Sequence, residues 1–94
     1  MEDKLARAEI LVQGLVQGVG FRFFVLTKAK QLNLKGYTKN LMTGEVLTEV
    51  EGEEYLIKDL FKELKIGPSH AQVTKANIHW ADYKNEFKNF EIRY

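Results

Sequence analysis

The chain has 94 residues, 45% of them apolar and 29% charged, and contains no cysteine. That suffices for one folded domain with a single core, and it excludes a disulfide framework, a thiolate nucleophile and a cysteine metal site. The 14 basic and 13 acidic residues leave a formal net charge of +1, which argues against a nucleic-acid partner. The longest apolar run, Phe23-Phe24-Val25-Leu26, is far short of the roughly 18 residues of a membrane span. No signal peptide opens the chain, so no membrane partner and a cytoplasmic location are expected.

In chain order, one domain over residues 1–94 is expected, with Met1–Ala6 polar and frayed. Across Arg7–Gln13, Ala8, Ile10 and Val12 alternate with Glu9, Leu11 and Gln13, the period of a strand. Gly14–Gly20 follows as a loop with three glycines. Phe21–Leu34 is predicted helical, with Phe21, Phe24, Val25, Ala29 and Leu32 on one face and a stop at Asn33 to Gly36. Gly36–Leu41 and Val46–Glu51 flank Met42-Thr43-Gly44-Glu45 as a β-hairpin. A second helix is predicted from about Glu53 to Ile66, with Leu56, Leu60, Phe61 and Leu64 as its apolar stripe and Gly67-Pro68 ending it. Val73–Ala81 and Phe87–Tyr94 are the remaining strands. The order β-α-β-β-α-β with an added C-terminal strand is an α+β, ferredoxin-like sandwich. Two helices are expected on one face of a mainly antiparallel sheet of four to five strands. That architecture serves many functions and selects none.

Charge and helix polarity narrow the field. From Ile10 to Gly44 the basic residues are Arg22, Lys28, Lys30, Lys35 and Lys39, and no Asp or Glu interrupts them. The second helix follows its macrodipole, with Glu53 and Glu54 at its start and Lys62 and Lys65 towards its end. The first helix places Arg22 at its positive end instead. Such a local violation is where a functional site is expected. Gly14, Gly18 and Gly20 let backbone N–H groups converge on a small anion, and the helix start points further N–H groups the same way. A guanidinium beside them grips phosphate oxygens in bidentate fashion. Loop, helix end and Arg22 describe a phosphate cradle. The spacing matches neither the nucleoside-triphosphate nor the dinucleotide glycine motif.

Gly14-Leu15-Val16-Gln17-Gly18-Val19-Gly20-Phe21-Arg22 resembles the acylphosphatase signature G-x-V-Q-G-V-x-F-R. Gly36-Tyr37-Thr38-Lys39-Asn40-Leu41, with Gly44, Val46 and Glu49, is similar to the second motif of that family. The resemblance extends through Glu51-Gly52-Glu53-Glu54 and Gly67-Pro68 to Phe90-Glu91-Ile92-Arg93, covering about Arg7 to Tyr94. Tyr37, Thr38 and Thr43 stand where Trp, Val and Asp are usual. The resemblance implies hydrolysis of a carboxyl-phosphate anhydride to a carboxylate and inorganic phosphate. It implies that Arg22 and backbone amides of Leu15, Val16, Gln17, Gly18, Val19, Gly20 and Phe21 bind the phosphoryl group. It also implies that Asn40 orients the attacking water, with a substrate phosphate oxygen taking the proton. No metal or other cofactor is implied, the partner is a small-molecule acyl phosphate, and a monomer is expected. The resemblance thus implies that Arg22 and the loop read phosphate and leave the acyl group largely unread.

Other candidates are weaker. His70 and His79 lack metal-ligand spacing and are expected at the surface or a sheet edge. Asp59 and Glu63 lie four apart on the second helix and are expected to be solvated. Phe21, Phe23 and Phe24 are expected in the core rather than as a stacking platform. Lys35-Gly36-Tyr37 begins like the K/R-G-F/Y-G/A-F-V-x-F/Y pattern of RNA-recognition domains, but Thr38, Lys39 and Met42 break it.

Overall fold

The computed structural model describes residues 4–94. Its elements are β1 (Leu5–Leu15), α1 (Phe21–Gln31), β2 (Lys35–Asn40), β3 (Val46–Glu53), α2 (Glu54–Ile66), β4 (Gln72–Ala81) and β5 (Phe90–Arg93). They form one five-stranded sheet in the order β4-β1-β3-β2-β5. Neighbouring strands are antiparallel except β5, which runs parallel to β2. The expected α+β, ferredoxin-like sandwich is the observed one.

Strand alternation sets which face is covered. Ala8, Ile10 and Val12 of β1 and Val46, Thr48 and Val50 of β3 are buried in one layer. Phe21, Val25 and Ala29 of α1 and Ile57, Leu60 and Leu64 of α2 pack down on them. The α2 stripe thus centres on Ile57 rather than on Leu56 and Phe61, which are only partly buried. Thr38 and Thr48 share this interior without orphaned hydroxyls. Thr48 donates to Thr38 Oγ1 at 3.0 Å, and Thr38 donates to the Leu47 carbonyl at 3.0 Å.

Several boundaries differ from the sequence expectation, each for a local reason. Leu5 and Ala6, expected to be frayed, belong to β1, where they pair with Glu53 and Gly52, and Ala6 is buried. Met1, Glu2 and Asp3 lie outside the described residues. Gly14 and Leu15 also belong to β1 rather than to the loop. The register against β4 shifts between Gln13 and Gly14, and a Cβ on Gly14 would sit 2.1 Å from the Gln72 carbonyl oxygen. This bulge therefore requires glycine.

α1 stops at Gln31, three residues early, because Asn33 takes a left-handed conformation (φ 55). Asn33 N–H then reaches the Lys30 carbonyl at 3.1 Å and Leu34 N–H the Ala29 carbonyl at 2.9 Å, a Schellman termination. Glu53 is the last residue of β3 and caps α2 in extended geometry rather than starting it. β5 begins at Phe90 rather than Phe87, because the Phe87 amide is engaged elsewhere, by the Glu51 carboxylate. No helix among the described residues is long and apolar enough to cross a membrane.

Candidate active site

Five residues join β1 to α1, and their conformation prepares an anion site. Gly18 and Gly20 both hold φ 76, and Gly20 is the residue that caps α1. A Cβ on either would meet open space, so the demand for glycine is conformational. The left-handed region costs other residues about 1–2 kcal/mol. A glycine cap also brings no side-chain acceptor to the first turn of the helix, and no acidic residue stands there. Among the described residues, no backbone hydrogen bond of the loops and turns uses an N–H of residues 16–23 as donor. The first in this stretch runs from Phe24 N–H to the Gly20 carbonyl at 3.0 Å. The positive end of α1 therefore keeps its donors free for an anion.

Arg22 stands on that first turn. Its Nη1 donates to the Arg93 carbonyl at 3.4 Å, and its guanidinium lies 4.7 Å from the centre of the Tyr94 ring. Among the described residues it makes no ion pair with a carboxylate. An uncompensated guanidinium at a positive helix end is an anion receptor in charge and in shape.

Asn40 comes from the last position of β2, opposite Val46. Its Oδ1 is shielded from solvent and is the one buried side-chain oxygen or nitrogen among the described residues without a hydrogen-bond partner. Leaving such an acceptor unpaired costs about 1–3 kcal/mol, tolerated in native proteins where a ligand or water completes the bond. Gln17 ties this strand end to the loop. Its Nε2 donates to the Leu41 carbonyl at 2.8 Å and to the Glu45 carbonyl at 2.9 Å.

Arg22 and Asn40 line one cavity of about 260 Å³, together with Val16, Gly18, Gly20 and Phe21 of the loop and helix start. Of the loop residues expected to offer amides, Leu15, Gln17 and Val19 do not line it. Leu15 ends β1 opposite Gln72, and Gln17 acts through its side chain. Phe23, Ile92 and Tyr94 complete the wall. Phe23 corrects the expectation of a three-phenylalanine core. Phe21 is buried and Phe24 packs partly against the core, but Phe23 is 67% exposed. The signal was in the helix period, since Phe23 falls off the face marked by Phe21, Val25 and Ala29.

The remaining candidates lie away from the cavity. His70 and His79 are exposed, and Asp59 is exposed. Glu63 is partly covered and pairs with Lys28 at 3.6 Å. No group of three or more His, Asp or Glu residues among those described has metal-site geometry.

The fold and site define a class: a small α+β sandwich whose cavity joins a glycine-capped helix start, an arginine without an ion pair among the described residues and an asparagine. The acylphosphatase family model matches residues 8–92. An acylphosphatase of Chlorobaculum tepidum is 40% identical over 86 residues, which cover 92% of this chain and 94% of that one. The crystal structure of acylphosphatase from Bacillus subtilis superposes with a TM-score of 0.91 at 33% identity, over 97% of this chain and 100% of that one. A full-length HypF crystal structure matches with a TM-score of 0.89 at 36% identity, over 99% of this chain but 12% of that one. The chain belongs to the acylphosphatase family and is a hydrolase of acyl phosphates.

Proposed function

We propose that the protein acts as a monomeric, cytoplasmic, metal-independent acylphosphatase in which Arg22 and the loop amides bind the phosphoryl group and Asn40 orients the attacking water. The observation that carries this reading is the sharing of one cavity by a guanidinium without an ion pair among the described residues, a helix start without a side-chain cap and an asparagine with an unfilled acceptor. Neither a nucleic acid nor a membrane takes part.

The chemistry follows from charge. Water attacks phosphorus, the bond from phosphorus to the acyl oxygen breaks, and its electron pair leaves with the carboxylate. A carboxylate is a good leaving group and needs little help from an acid. The requirement is to hold the phosphoryl group in line with water and to stabilise its equatorial oxygens. Arg22 and the free amides supply that stabilisation as preorganised donors. The Asn40 amide is too weak a base to deprotonate water. It accepts a hydrogen bond and fixes the water's direction, while a phosphate oxygen of the substrate takes the proton. The products are the carboxylate and inorganic phosphate.

The test is phosphate release from benzoyl phosphate with a chelator present. Wild type is expected to remain active, and Arg22→Gln and Asn40→Ala are each expected to lose roughly 10²–10³-fold in turnover. Undiminished hydrolysis by both variants contradicts the site, and a wild type silenced by the chelator contradicts metal independence.

A further inference from the structure

The phosphate-binding groups account for the polar part of the cavity and leave its mouth unassigned. Val16 and Phe21 are buried and form its floor. The apolar groups at its mouth are Phe23, partly buried Ile92 and Tyr94, and among the described residues no acidic or lysine side chain joins them. Phe23 contributes little to the fold, for it stands off the core face of α1 with 67% of its surface exposed. One turn on, Thr27 donates from Oγ1 to the Phe23 carbonyl at 3.0 Å, so the same helix face continues polar. A lone exposed phenylalanine is ordinary. This one adjoins the arginine that is to hold the phosphoryl group, and it faces the same cavity.

We propose that the acyl group of the substrate lies against Phe23 and Ile92, so that the enzyme favours acyl phosphates with aromatic or branched apolar acyl groups over acetyl phosphate. The inference rests on the placement of the phosphoryl group at Arg22. With phosphorus held at the loop, the acyl group extends from the anhydride oxygen towards the mouth, where an apolar group removes its own surface and that of Phe23 from water. An aromatic acyl group also meets the Phe23 ring in the offset or edge arrangements that aromatic pairs prefer. A small polar acyl group gains neither. Phe23 is thus assigned as a specificity-determining residue that touches substrate and leaves the phosphoryl chemistry to its neighbours.

The experiment compares kcat/KM for benzoyl phosphate and acetyl phosphate in wild type, Phe23→Ala, Phe23→Leu and Arg22→Gln. The readout is the ratio of the two substrates, which a general loss of stability or of phosphate binding does not move. Wild type is expected to prefer benzoyl phosphate by about tenfold or more, the range in which apolar pockets discriminate. Phe23→Ala is expected to lose most of that preference and Phe23→Leu to keep a larger part of it. A wild-type ratio near one, or a ratio unchanged in Phe23→Ala, overturns the proposal. An inactive Arg22→Gln beside an unchanged Phe23→Ala ratio removes the acyl assignment alone. An Arg22→Gln variant as fast as wild type on both substrates removes the phosphoryl site on which it rests.

Discussion

At one end of the β2–β3 ladder the Glu51 carboxylate is shielded and surrounded by donors; at the other the Oδ1 of partly buried Asn40 is shielded and has none. Glu51 accepts backbone N–H groups from Lys84 at 2.7 Å, Glu86 at 2.8 Å and Phe87 at 3.3 Å, all on the segment that connects β4 to β5. Arg7 lies 3.6 Å from the same carboxylate and also binds Glu49 and Glu86 at 2.5 and 2.6 Å. The Phe87 ring covers this cluster, 4.8 Å from the Arg7 guanidinium and edge-on to Tyr37. Buried charge with every partner present fixes a crossover. Buried polarity with a partner missing, beside an arginine without an ion pair among the described residues, is what the proposed phosphoryl site uses. The same strand pair thus carries a structural end and a chemical end.

Removing the Glu51 carboxylate tests the structural end and has the largest expected effect on stability. Glu51→Ala strands three amides and loosens Arg7, so urea unfolding should show a loss of roughly 3–5 kcal/mol. At temperatures where the variant is folded, its kcat on acyl phosphate should stay near the wild-type value. A stable Glu51→Ala would break the contrast. Acid should act in the same direction. Burial pushes the Glu51 carboxyl up, but the three amides and Arg7 outweigh it and hold its pKa below the ordinary carboxylate value. A depressed folded-state pKa stabilises above the unfolded value, and that stabilisation is lost as pH falls through the folded one. Glu51→Gln should therefore flatten the acid limb of the stability–pH curve.

A smaller effect is expected where the loop is tied to the chemical end. Gln17→Leu removes two hydrogen bonds to the hairpin, at Leu41 and Glu45. It should cost roughly 1–2 kcal/mol in denaturant unfolding. Turnover should fall further than that loss explains, because Asn40 is no longer held in register with the loop; misplacement on this scale costs up to about 10²-fold. Unchanged turnover would show that the tether is structural only.

The chemical end was legible in the sequence and the structural end was not. Gly18, Gly20 and Arg22 announce themselves by residue type and spacing, since positive φ and a misplaced positive charge are local properties, whereas Asn40 stands out only through the resemblance of its strand to the second acylphosphatase motif. The Glu51 anchor is invisible there. Its donors are backbone amides 33 to 36 positions away, and amides carry no residue signature. Distance along the chain also hid the inclusion of Leu5 and Ala6 in β1, which depends on Glu53 and Gly52. Sequence alone puts Leu15 in a loop because the glycine before it suggests a turn, whereas Gly14 serves a bulge against β4. Phe23 departs from the sequence expectation for a different reason. Three phenylalanines in four positions suggest a core, yet the helix turns Phe23 away from Phe21 and Phe24.

The central claim is the division of labour between Arg22 and Asn40, and inorganic phosphate binding tests it most directly. Titration calorimetry of inorganic phosphate should give Asn40→Ala a Kd within about threefold of wild type despite its lost turnover. Arg22→Gln should weaken Kd by roughly tenfold or more, as expected for loss of a charge-assisted hydrogen bond. Loss of phosphate binding in Asn40→Ala, or wild-type binding in Arg22→Gln, would contradict the account.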